Sequence, residues 1–252
     1  MVTERQSSNL LIIQARTSSS RLPNKVLKEV NGKPILEWQT KRVLQTTGLD
    51  QVVIATSTEN SDDEIVEIGK RCGISTIRGS LHNVYSRFIE AVDIYNPEYI
   101  IRITGDCPLY MPNLCEAMLK EFKQSEVDYL SNTQPPTYPD GCDVEIVRTS
   151  VLRQLQKLTL TKSEIEHVTL GIYKRRDLFT CKNFMNSIDE SIHRWTLDTQ
   201  DDFDFIAQVY REFIGKELTF TYSDVMRLLE QNPKLARYDT GDMRNTGLGK
   251  NE

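Results

Sequence analysis

The chain has 252 residues, of which 38% are hydrophobic and 27% are charged, and this composition is ordinary for a soluble globular protein. Its net charge of −5 argues against a nucleic acid partner, because a polyanion-binding surface would have to overcome that overall field. The five cysteines include no CxxC pair, so the sequence predicts neither a zinc site nor a disulfide framework and favours a reducing cytoplasm.

Strand-like apolar runs alternate with helix-like segments over roughly the first 130 residues. We predict strands for LLIIQA, QVVIATS, ISTIRG and YIIRITGD. Helices are predicted for PILEWQTKRVLQTTG, SDDEIVEIGKRCG and NVYSRFIEAVDIY. Pro34 suits the start of the first helix, Gly48 suits its end, and Ser61 and Glu64 fit a capping box in the second. This alternation predicts an α/β fold with a mostly parallel, doubly wound sheet flanked by helices.

The second half of the chain is less regular. Strands are predicted for VDYLSN, CDVEIV and IHRWTLDT, and helices for SEIEHVTLGIYKRR and QDDFDFIAQVYREFI. No run approaches the ~20 apolar residues of a membrane span, and the N-terminus has no apolar signal segment, so we expect no membrane partner. Residues 238–252 lack periodicity and are expected to form a mobile tail.

The stretch QARTSSSRLPNK, residues 14–25, contains three cations, several hydroxyls and no acid. It follows the first predicted strand, and ligands of open α/β sheets bind beyond the carboxyl ends of the strands. Arg16, Arg21 and Lys25, together with hydroxyl and backbone N–H donors, match the charge and acceptor oxygens of a triphosphate. The stretch is neither a Walker A nor a GxGxxG sequence, so a solvated basic turn is the alternative interpretation.

Two aspartates end predicted strands, Asp106 in RITGDCPL and Asp198 in RWTLDTQDDF. An aspartate at the carboxyl edge of a sheet commonly holds Mg²⁺ against phosphate, although a turn aspartate often bonds only to its own backbone. Asp201 and Asp202 are instead assigned to the first turn of the following helix, where the helix dipole favours acids without any function, and these two and Asp204 are interpreted as structural.

Six stretches occur in an order known from one family, namely QARTSSSRLPNKVL, RGSLHNVYSRF, RITGDCPL, YPDGCDVEI, EHVT and RWTLDTQDDF. From about Leu10 to about Phe213, the chain resembles the spore coat polysaccharide biosynthesis protein F family. Members of that family are cytidylyltransferase-like and related to the enzymes that make CMP-Kdo and CMP-sialic acid.

The resemblance implies a Rossmann-like, GT-A-like fold and the transfer of CMP from CTP to an acidic sugar, with Mg²⁺ as cofactor and release of pyrophosphate. The sugar would be sialic-acid-like or Kdo-like and would serve surface polysaccharide biosynthesis. One nucleotidyltransferase domain is expected over residues 9–237, with a nucleotide-binding half at about 9–132 and an acceptor-binding half at about 133–237.

The resemblance also implies roles for single residues. Arg16, Arg21 and Lys25 match the residues that hold the CTP phosphates, and Asp106 and Asp198 match the two metal-binding aspartates. Further nucleotide-binding positions are Ala15, Ser20, Arg78, Asn83, Thr104 and Gly105. Thr104 stands where the Kdo enzymes have Gln, a departure that bears on recognition of the base.

The acceptor side is predicted to comprise Tyr138, Asp140, Asp143, Glu145, Glu166, His167 and Arg194. Glu166 and His167 match the family segment that faces the acceptor sugar, and His167 is the candidate general base. Ser163 and Glu166 fit a capping box equally well. Asp143 and Glu145 lie two apart on a predicted strand, where they could bind sugar hydroxyls or a second cation, or form an exposed face.

Two other functions stay open at this point. Asp202-Phe203-Asp204 supplies the D-x-D of a GT-A glycosyltransferase, although it is predicted at a helix start and not at the end of an early strand. A nucleotide-binding protein without catalytic activity is the third interpretation. Relatives of this kind are often dimers, so a homodimer is an alternative to a monomer.

Overall fold

The structure is a computed structural model that describes residues 9–238. The expectation of a mobile tail falls outside these residues, except for Tyr238. The strands are β1 (Asn9–Gln14), β2 (Glu29–Val30), β3 (Lys33–Pro34), β4 (Gln51–Ser57), β5 (Ser75–Gly79), β6 (Tyr99–Thr104), β7 (Tyr129–Ser131), β8 (Glu145–Arg148) and β9 (Cys181–Asn183).

The helices are α1 (Ile35–Val43), α2 (Asp63–Cys72), α3 (Val84–Tyr95), α4 (Pro112–Gln124), α5 (Thr149–Leu155), α6 (Lys162–Glu166), α7 (Leu170–Tyr173), α8 (Gln200–Glu212) and α9 (Tyr222–Gln231). Pro34 lies just before α1, and α1 ends well before Gly48, which turns the chain with a positive φ of 80°. No helix within residues 9–238 is long and apolar enough to cross a membrane.

One sheet of seven strands, in the order β5-β4-β1-β6-β8-β7-β9, organises residues 9–238. β1 pairs in parallel with β4 and β6, and β4 pairs in parallel with β5. β8 lies antiparallel between β6 and β7, and β9 pairs in parallel with β7. The prediction of a mostly parallel sheet flanked by helices is therefore confirmed. The carboxyl ends of β1, β4, β5 and β6 meet at one edge, which is where ligands of such sheets bind.

The central strand β1 is buried on both faces. Leu10 packs in a cluster with Phe88 of α3, whereas Leu11 packs on the opposite face with Met118 of α4. Burial on both faces explains why the first strands are continuous apolar runs without polar alternation. The same burial fixes the register of the sheet and hence the positions of the loops at its carboxyl edge.

The predicted capping box of α2 does not form. Residues Asn60–Asp62 wind as a 3₁₀ turn, so Asp62 and not Ser61 immediately precedes α2. The Asp62 carboxylate instead accepts hydrogen bonds from the backbone N–H and hydroxyl of Thr17, at 2.8 and 2.7 Å, and from the hydroxyl of Ser57. This acid therefore fastens the loop after β1 to the end of β4.

The segment after α5 is not the single helix that the sequence predicts. α6 and α7 are separated at Val168, whose φ of 47° interrupts helical geometry. The capping box of α6 is formed by Thr161 and Glu164, so the predicted box of Ser163 with Glu166 is wrong. The Glu166 carboxylate is thereby available for a contact outside its own helix.

The predicted strand IHRWTLDT is also absent from the sheet. Residues 193 and 194 form only isolated bridges, to Tyr238 and Asp140, and Asp198 follows an irregular segment and not a strand. Trp195 is fully buried and anchors this segment in a core cluster with α8. Asp202 lies in the first turn of α8 as predicted, where it forms a capping box with Thr199.

Arg194 holds the irregular segment in place through three carboxylates. Its guanidinium contacts Asp140 and Asp198, each at 2.9 Å, and Asp202 at 3.1 Å, and its side chain is only 2% exposed. Burial opposes the charge, but the three carboxylates, Asp202 above all, raise the pKa of Arg194 above its ordinary value. The prediction that Arg194 and Asp140 bind the acceptor gives way to a structural role, because their charges neutralise each other in the interior.

Substitution of Gly141 tests how closely the backbone at this position approaches the backbone of Trp195. Gly141 has a φ of 105°, and a Cβ there would lie 2.5 Å from the carbonyl carbon of Trp195. We expect Gly141→Ala to lower the free energy of unfolding by at least about 3 kcal/mol, and Tm by about 6 °C or more, because strain and a backbone clash add. Gly48→Ala is the control, since it has a positive φ but no atom within 4 Å, and its cost should be about 1 kcal/mol. Equal losses would refute the steric argument.

Substitution of Arg194 tests how much the buried ion cluster contributes to stability. Arg194→Met should lower the free energy of unfolding by roughly 3–5 kcal/mol in chemical denaturation, because it leaves carboxylates buried without their counter-charge. Arg227→Met, in which the replaced side chain is 64% exposed and pairs with Asp224 at 3.4 Å, should stay within about 0.5 kcal/mol of the unmutated protein. Undiminished stability of Arg194→Met would return Arg194 to the candidates for substrate binding.

Candidate functional site

A cavity of about 610 Å³ opens at the carboxyl edge of β1 and β6. Its position is the one expected for the ligand of an open α/β sheet. It is lined by Gln14, Ala15, Arg16, Ser18, Ser19, Ser20, Arg21, Lys25, Val26, Arg87, Arg102, Thr104, Gly105, Asp106, Glu166, His167 and Asp198. These residues come from both halves of the chain.

The loop after β1 is wound tightly around Thr17. The Thr17 carbonyl accepts hydrogen bonds from the backbone N–H groups of Ser19 and Asn24, at 2.8 and 3.1 Å, while Asp62 holds its other side. Asn24 adopts the left-handed conformation, with φ of 56°, and a 3₁₀ turn over Lys25–Leu27 follows. This winding brings the side chains of the loop back toward the cavity, so the loop is not a freely solvated turn.

Lys25 lies between two aspartates that are 92 positions apart in the chain. Its Nζ is 2.9 Å from Oδ2 of Asp106 and 3.0 Å from Oδ1 of Asp198. Burial of the ammonium opposes its charge, but the attraction of Asp106 and Asp198 is stronger and raises the pKa of Lys25. Burial likewise opposes ionisation of Asp106, yet the charge of Lys25 lowers the pKa of Asp106 to about 2. At neutral pH the amine and Asp106 are therefore both charged.

Backbone contacts bring the two aspartates together. The N–H of Leu197 donates to the carbonyl of Asp106 at 2.8 Å, and the hydroxyl of Thr196 donates to the same carbonyl at 3.1 Å. The irregular segment before α8 is thus attached directly to the loop after β6. Asp198 also contacts Nη2 of Arg21 at 2.8 Å, on the same oxygen that contacts Lys25.

These carboxylates fit a divalent cation only with the help of a ligand. No group of three or more histidine, cysteine or acidic side chains suited to a metal ion occurs within residues 9–238. Mg²⁺ is usually held by one or two carboxylates together with substrate phosphates and water. Asp106 and Asp198 supply that number of carboxylates, and Lys25 and Arg21 occupy their oxygens in the structure.

The second half of the chain, which is predicted to bind the acceptor, reaches the cavity through α6. Nη2 of Arg16 contacts Oε1 of Glu166 at 3.2 Å, and His167 lies beside Glu166 in the cavity wall. The break at Val168 ends the helix immediately after these residues. Glu166 and His167 therefore lie beside the cations of the first loop, and their role toward the acceptor stays a prediction.

Several residues predicted for the nucleotide or the acceptor make other contacts outside the cavity wall. Arg78 donates to backbone carbonyls of Ser57 and Glu59 and pairs with Asp63. Asn83 caps α3, where its side chain accepts from the backbone N–H of Ser86. Local hydrogen bonds therefore account for both Arg78 and Asn83 without any ligand.

The predicted acids of β8 and its approach also lie outside the wall. Glu145 is buried, so the exposed-face interpretation is wrong, and it pairs with Arg102 and accepts from the hydroxyls of Tyr129 and Thr169. Asp143 does not line the cavity. Tyr138 stacks on Phe184 in the wall of a second cavity, of about 500 Å³.

Sequence reasoning missed two arginines in the cavity wall, Arg87 and Arg102. Arg102 lies in the apolar run of β6, and Arg87 lies three residues after Val84 on the apolar face of α3. A cation at a position that the helical period assigns to the core is unusual, since Arg is seldom fully buried without a partner. That mismatch was the signal that could have identified Arg87.

Comparison with known proteins agrees with this geometry. The sequence model of the family described as Cytidylyltransferase matches residues 10–231. The spore coat polysaccharide biosynthesis protein SpsF of Bacillus subtilis is 32% identical over 237 residues, which cover 90% of this chain and 96% of that protein. The 3-deoxy-manno-octulosonate cytidylyltransferase of Synechococcus elongatus is 29% identical over 164 residues, covering 63% of this chain and 65% of that enzyme.

A solved structure shows the same architecture. The structure of a cytidylyltransferase from Leptospira borgpetersenii superposes with a TM-score of 0.88 at 30% identity, covering 93% of this chain and 98% of that one. The superposition therefore extends over both halves of the chain, and the range matched by the family model, residues 10–231, contains Asp198. The chain therefore belongs to the cytidylyltransferase family, and the protein is a nucleotidyltransferase.

Proposed function

We propose that the protein transfers CMP from CTP to a hydroxyl of an acidic sugar, sialic-acid-like or Kdo-like, and releases pyrophosphate. The observation that carries the proposal is the pair of aspartates, Asp106 and Asp198, brought to one lysine in a cavity rich in cations. The chain's similarity to a spore coat polysaccharide biosynthesis protein and to a 3-deoxy-manno-octulosonate cytidylyltransferase supports an acidic sugar for a surface polysaccharide.

The first loop binds the triphosphate in this proposal. Arg16, Arg21 and Lys25 line the cavity, and each is paired with a carboxylate that a triphosphate would replace. Charge-assisted bonds to phosphate oxygens are stronger than neutral ones, and the fork of an arginine matches phosphate geometry. Ala15 and Ser20 of the loop, and Thr104 and Gly105 of the opposite wall, complete the nucleotide-binding side.

The carboxylates that the triphosphate releases would then hold Mg²⁺. Asp106 and Asp198 are the residues that would bind this cation. When bound, Mg²⁺ would supply charge neutralisation at the α-phosphate and lower the pKa of the attacking hydroxyl. Arg16, Arg21 and Lys25 stabilise the charge that grows on the departing pyrophosphate, so positioning and electrostatics provide most of the catalysis.

The acceptor sugar would enter beside α6. Glu166 and His167 face the cavity there, and His167 is the candidate base for the attacking hydroxyl. Once a triphosphate draws Arg16 away, the Glu166 carboxylate becomes an acceptor for sugar hydroxyls. The acceptor side of the site thus comes from a segment more than 140 positions after the nucleotide loop.

The contacts of the D-x-D sequence argue against a glycosyltransferase. Asp202 is fully buried against Arg194 and caps α8, and Asp204 accepts a hydrogen bond from Gln200 on the exposed side of that helix. The two acids therefore do not form one metal site.

We also place the reaction in the cytoplasm, because all five cysteines are free thiols. A homodimer stays an alternative to a monomer.

Product analysis tests the function. Pyrophosphate should appear when the protein is mixed with CTP, Mg²⁺ and an acidic sugar, but not when UTP or ATP replaces CTP. Reactions without sugar are the control, because hydrolysis of CTP to CMP would release pyrophosphate without any transfer to a sugar. Tight CTP binding with no product from any acidic sugar would favour the non-catalytic alternative, and free nucleotide from a nucleotide sugar would favour a glycosyltransferase.

Removal of one carboxylate tests the proposed metal site. Asp106→Asn should reduce turnover at least about 100-fold, since metal-based charge stabilisation contributes several kcal/mol. CTP affinity measured calorimetrically in the presence of EDTA should not fall, because Lys25 is then paired with one carboxylate, that of Asp198, instead of two. Asp201→Asn, in which the replaced side chain is 73% exposed, is the matched control and should keep full activity. Unchanged turnover in Asp106→Asn would exclude Asp106 from the metal site.

A further inference from the structure

Arg87 is a buried cation that forms no ion pair with any residue between 9 and 238. It lies on α3, is 1% exposed and forms part of the wall of the nucleotide cavity. Its Nη1 is 3.5 Å from the carbonyl oxygen of Ala55, which is at the limit of a hydrogen bond. Its Nε and Nη2 have no partner among residues 9–238.

The two other fully buried arginines, Arg42 and Arg194, and the largely buried Arg102 have hydrogen-bond or ion-pair partners within residues 9–238. Arg42 donates to the carbonyls of Tyr110, Glu217 and Phe220 at 2.8 to 2.9 Å. Arg102 and Arg194 pair with buried carboxylates. Because buried polar groups are almost always paired, the two unpaired donors of Arg87 require an explanation that the fold itself does not give.

The charges nearest to Arg87 do not supply that explanation. Burial and the positive charge of Arg16 lower the pKa of Arg87 to about 10, so the group remains a cation at neutral pH. Asp62 attracts it, but both Asp62 oxygens already accept hydrogen bonds, from Thr17 on one side and from Thr56 and Ser57 on the other. The described residues therefore leave Nε and Nη2 of Arg87 without a partner, and these donors are open to an anion from outside the chain.

The end of β5 leaves room for this side chain. A Cβ at Gly79 would lie 2.8 Å from Cγ of Arg87, so a larger residue there would displace the stem of the arginine. The unpaired atoms, Nε and Nη2, lie on the same edge of the guanidinium. That edge binds both oxygens of a phosphate or carboxylate in a bidentate arrangement.

We infer that Arg87 is a specificity-determining residue that binds an oxyanion of a substrate in the cavity. The inference rests on the proposed function, which supplies two sources of such a group, the phosphates of the nucleotide and the carboxylate of the acidic sugar. The cost of burying an unpaired cation is then offset only when the substrate is bound.

Matched substitutions in the full chain separate a ligand-binding role from a structural one. Arg87→Met should raise Tm, because it removes an unpaired buried charge, whereas Arg42→Met should lower Tm, because it leaves three carbonyl groups without a donor. Arg87→Met should also weaken binding of one substrate about ten- to a hundredfold. Arg87→Lys keeps the charge but loses the bidentate edge, so it should recover part of this affinity. If the methionine variant does not fold, the affinity of the lysine variant relative to the unmutated protein tests the ligand-binding role.

Two measurements on the Arg87 variants, called the phosphate arm and the carboxylate arm, identify the source of the oxyanion. Titration calorimetry with CTP measures the phosphate arm, and KM for the acidic sugar in the pyrophosphate assay, with Kdo and N-acetylneuraminate as probes, measures the carboxylate arm. At least a tenfold loss in either arm supports the inference, and any smaller effect in both arms overturns it. A wild-type protein that binds CTP but releases no pyrophosphate would refute the proposed function instead, while the CTP arm would still report on Arg87.

Discussion

The contact of Lys25 with Asp106 and Asp198 is the interaction on which the site depends. It joins the loop after β1, the end of β6 and the segment before α8, three pieces of chain that share no secondary-structure element. Asp198 continues the connection inward to Arg194, which in turn binds Asp140 and Asp202. The result is an alternating series of charges that runs from the cavity into the core, so the floor of the site and the packing of the acceptor half stabilise each other.

Three cations of the site form ion pairs with carboxylates in the structure. Arg16 lies against Glu166, Arg21 against Asp198, and Lys25 against both aspartates. Each pair lowers the cost of holding a charge in a partly buried cavity, and each can be exchanged for a phosphate without leaving the cation unpaired. Arg87 differs, because its two donors have no partner in the described chain, so only a ligand can satisfy them.

The architecture explains why the site lies where it does. Parallel pairing of β1, β4, β5 and β6 gathers the carboxyl ends of four strands at one edge, and Asp62 fastens the first loop there through Thr17. The antiparallel strand β8 then carries the chain back across the sheet and positions the second half of the chain beside the same edge. The proposed nucleotide and acceptor residues therefore lie in one cavity although they are far apart in sequence.

The sequence by itself determined the parallel part of the sheet, because strands buried on both faces leave continuous apolar runs such as LLII. It also located the basic loop and Asp106 at the carboxyl edge, since these follow directly from where a strand ends. It could not place the segment before α8, because that segment is held by Trp195 and Arg194 and not by strand pairing. Nor could it separate Arg194, which is buried among acids, from Arg87, which is not. In the sequence each is an arginine directly before an aromatic residue, Phe88 or Trp195. Only the tertiary structure decides which charges lie within a few ångströms of each arginine, because pairing energies depend on burial and distance and not on position along the chain.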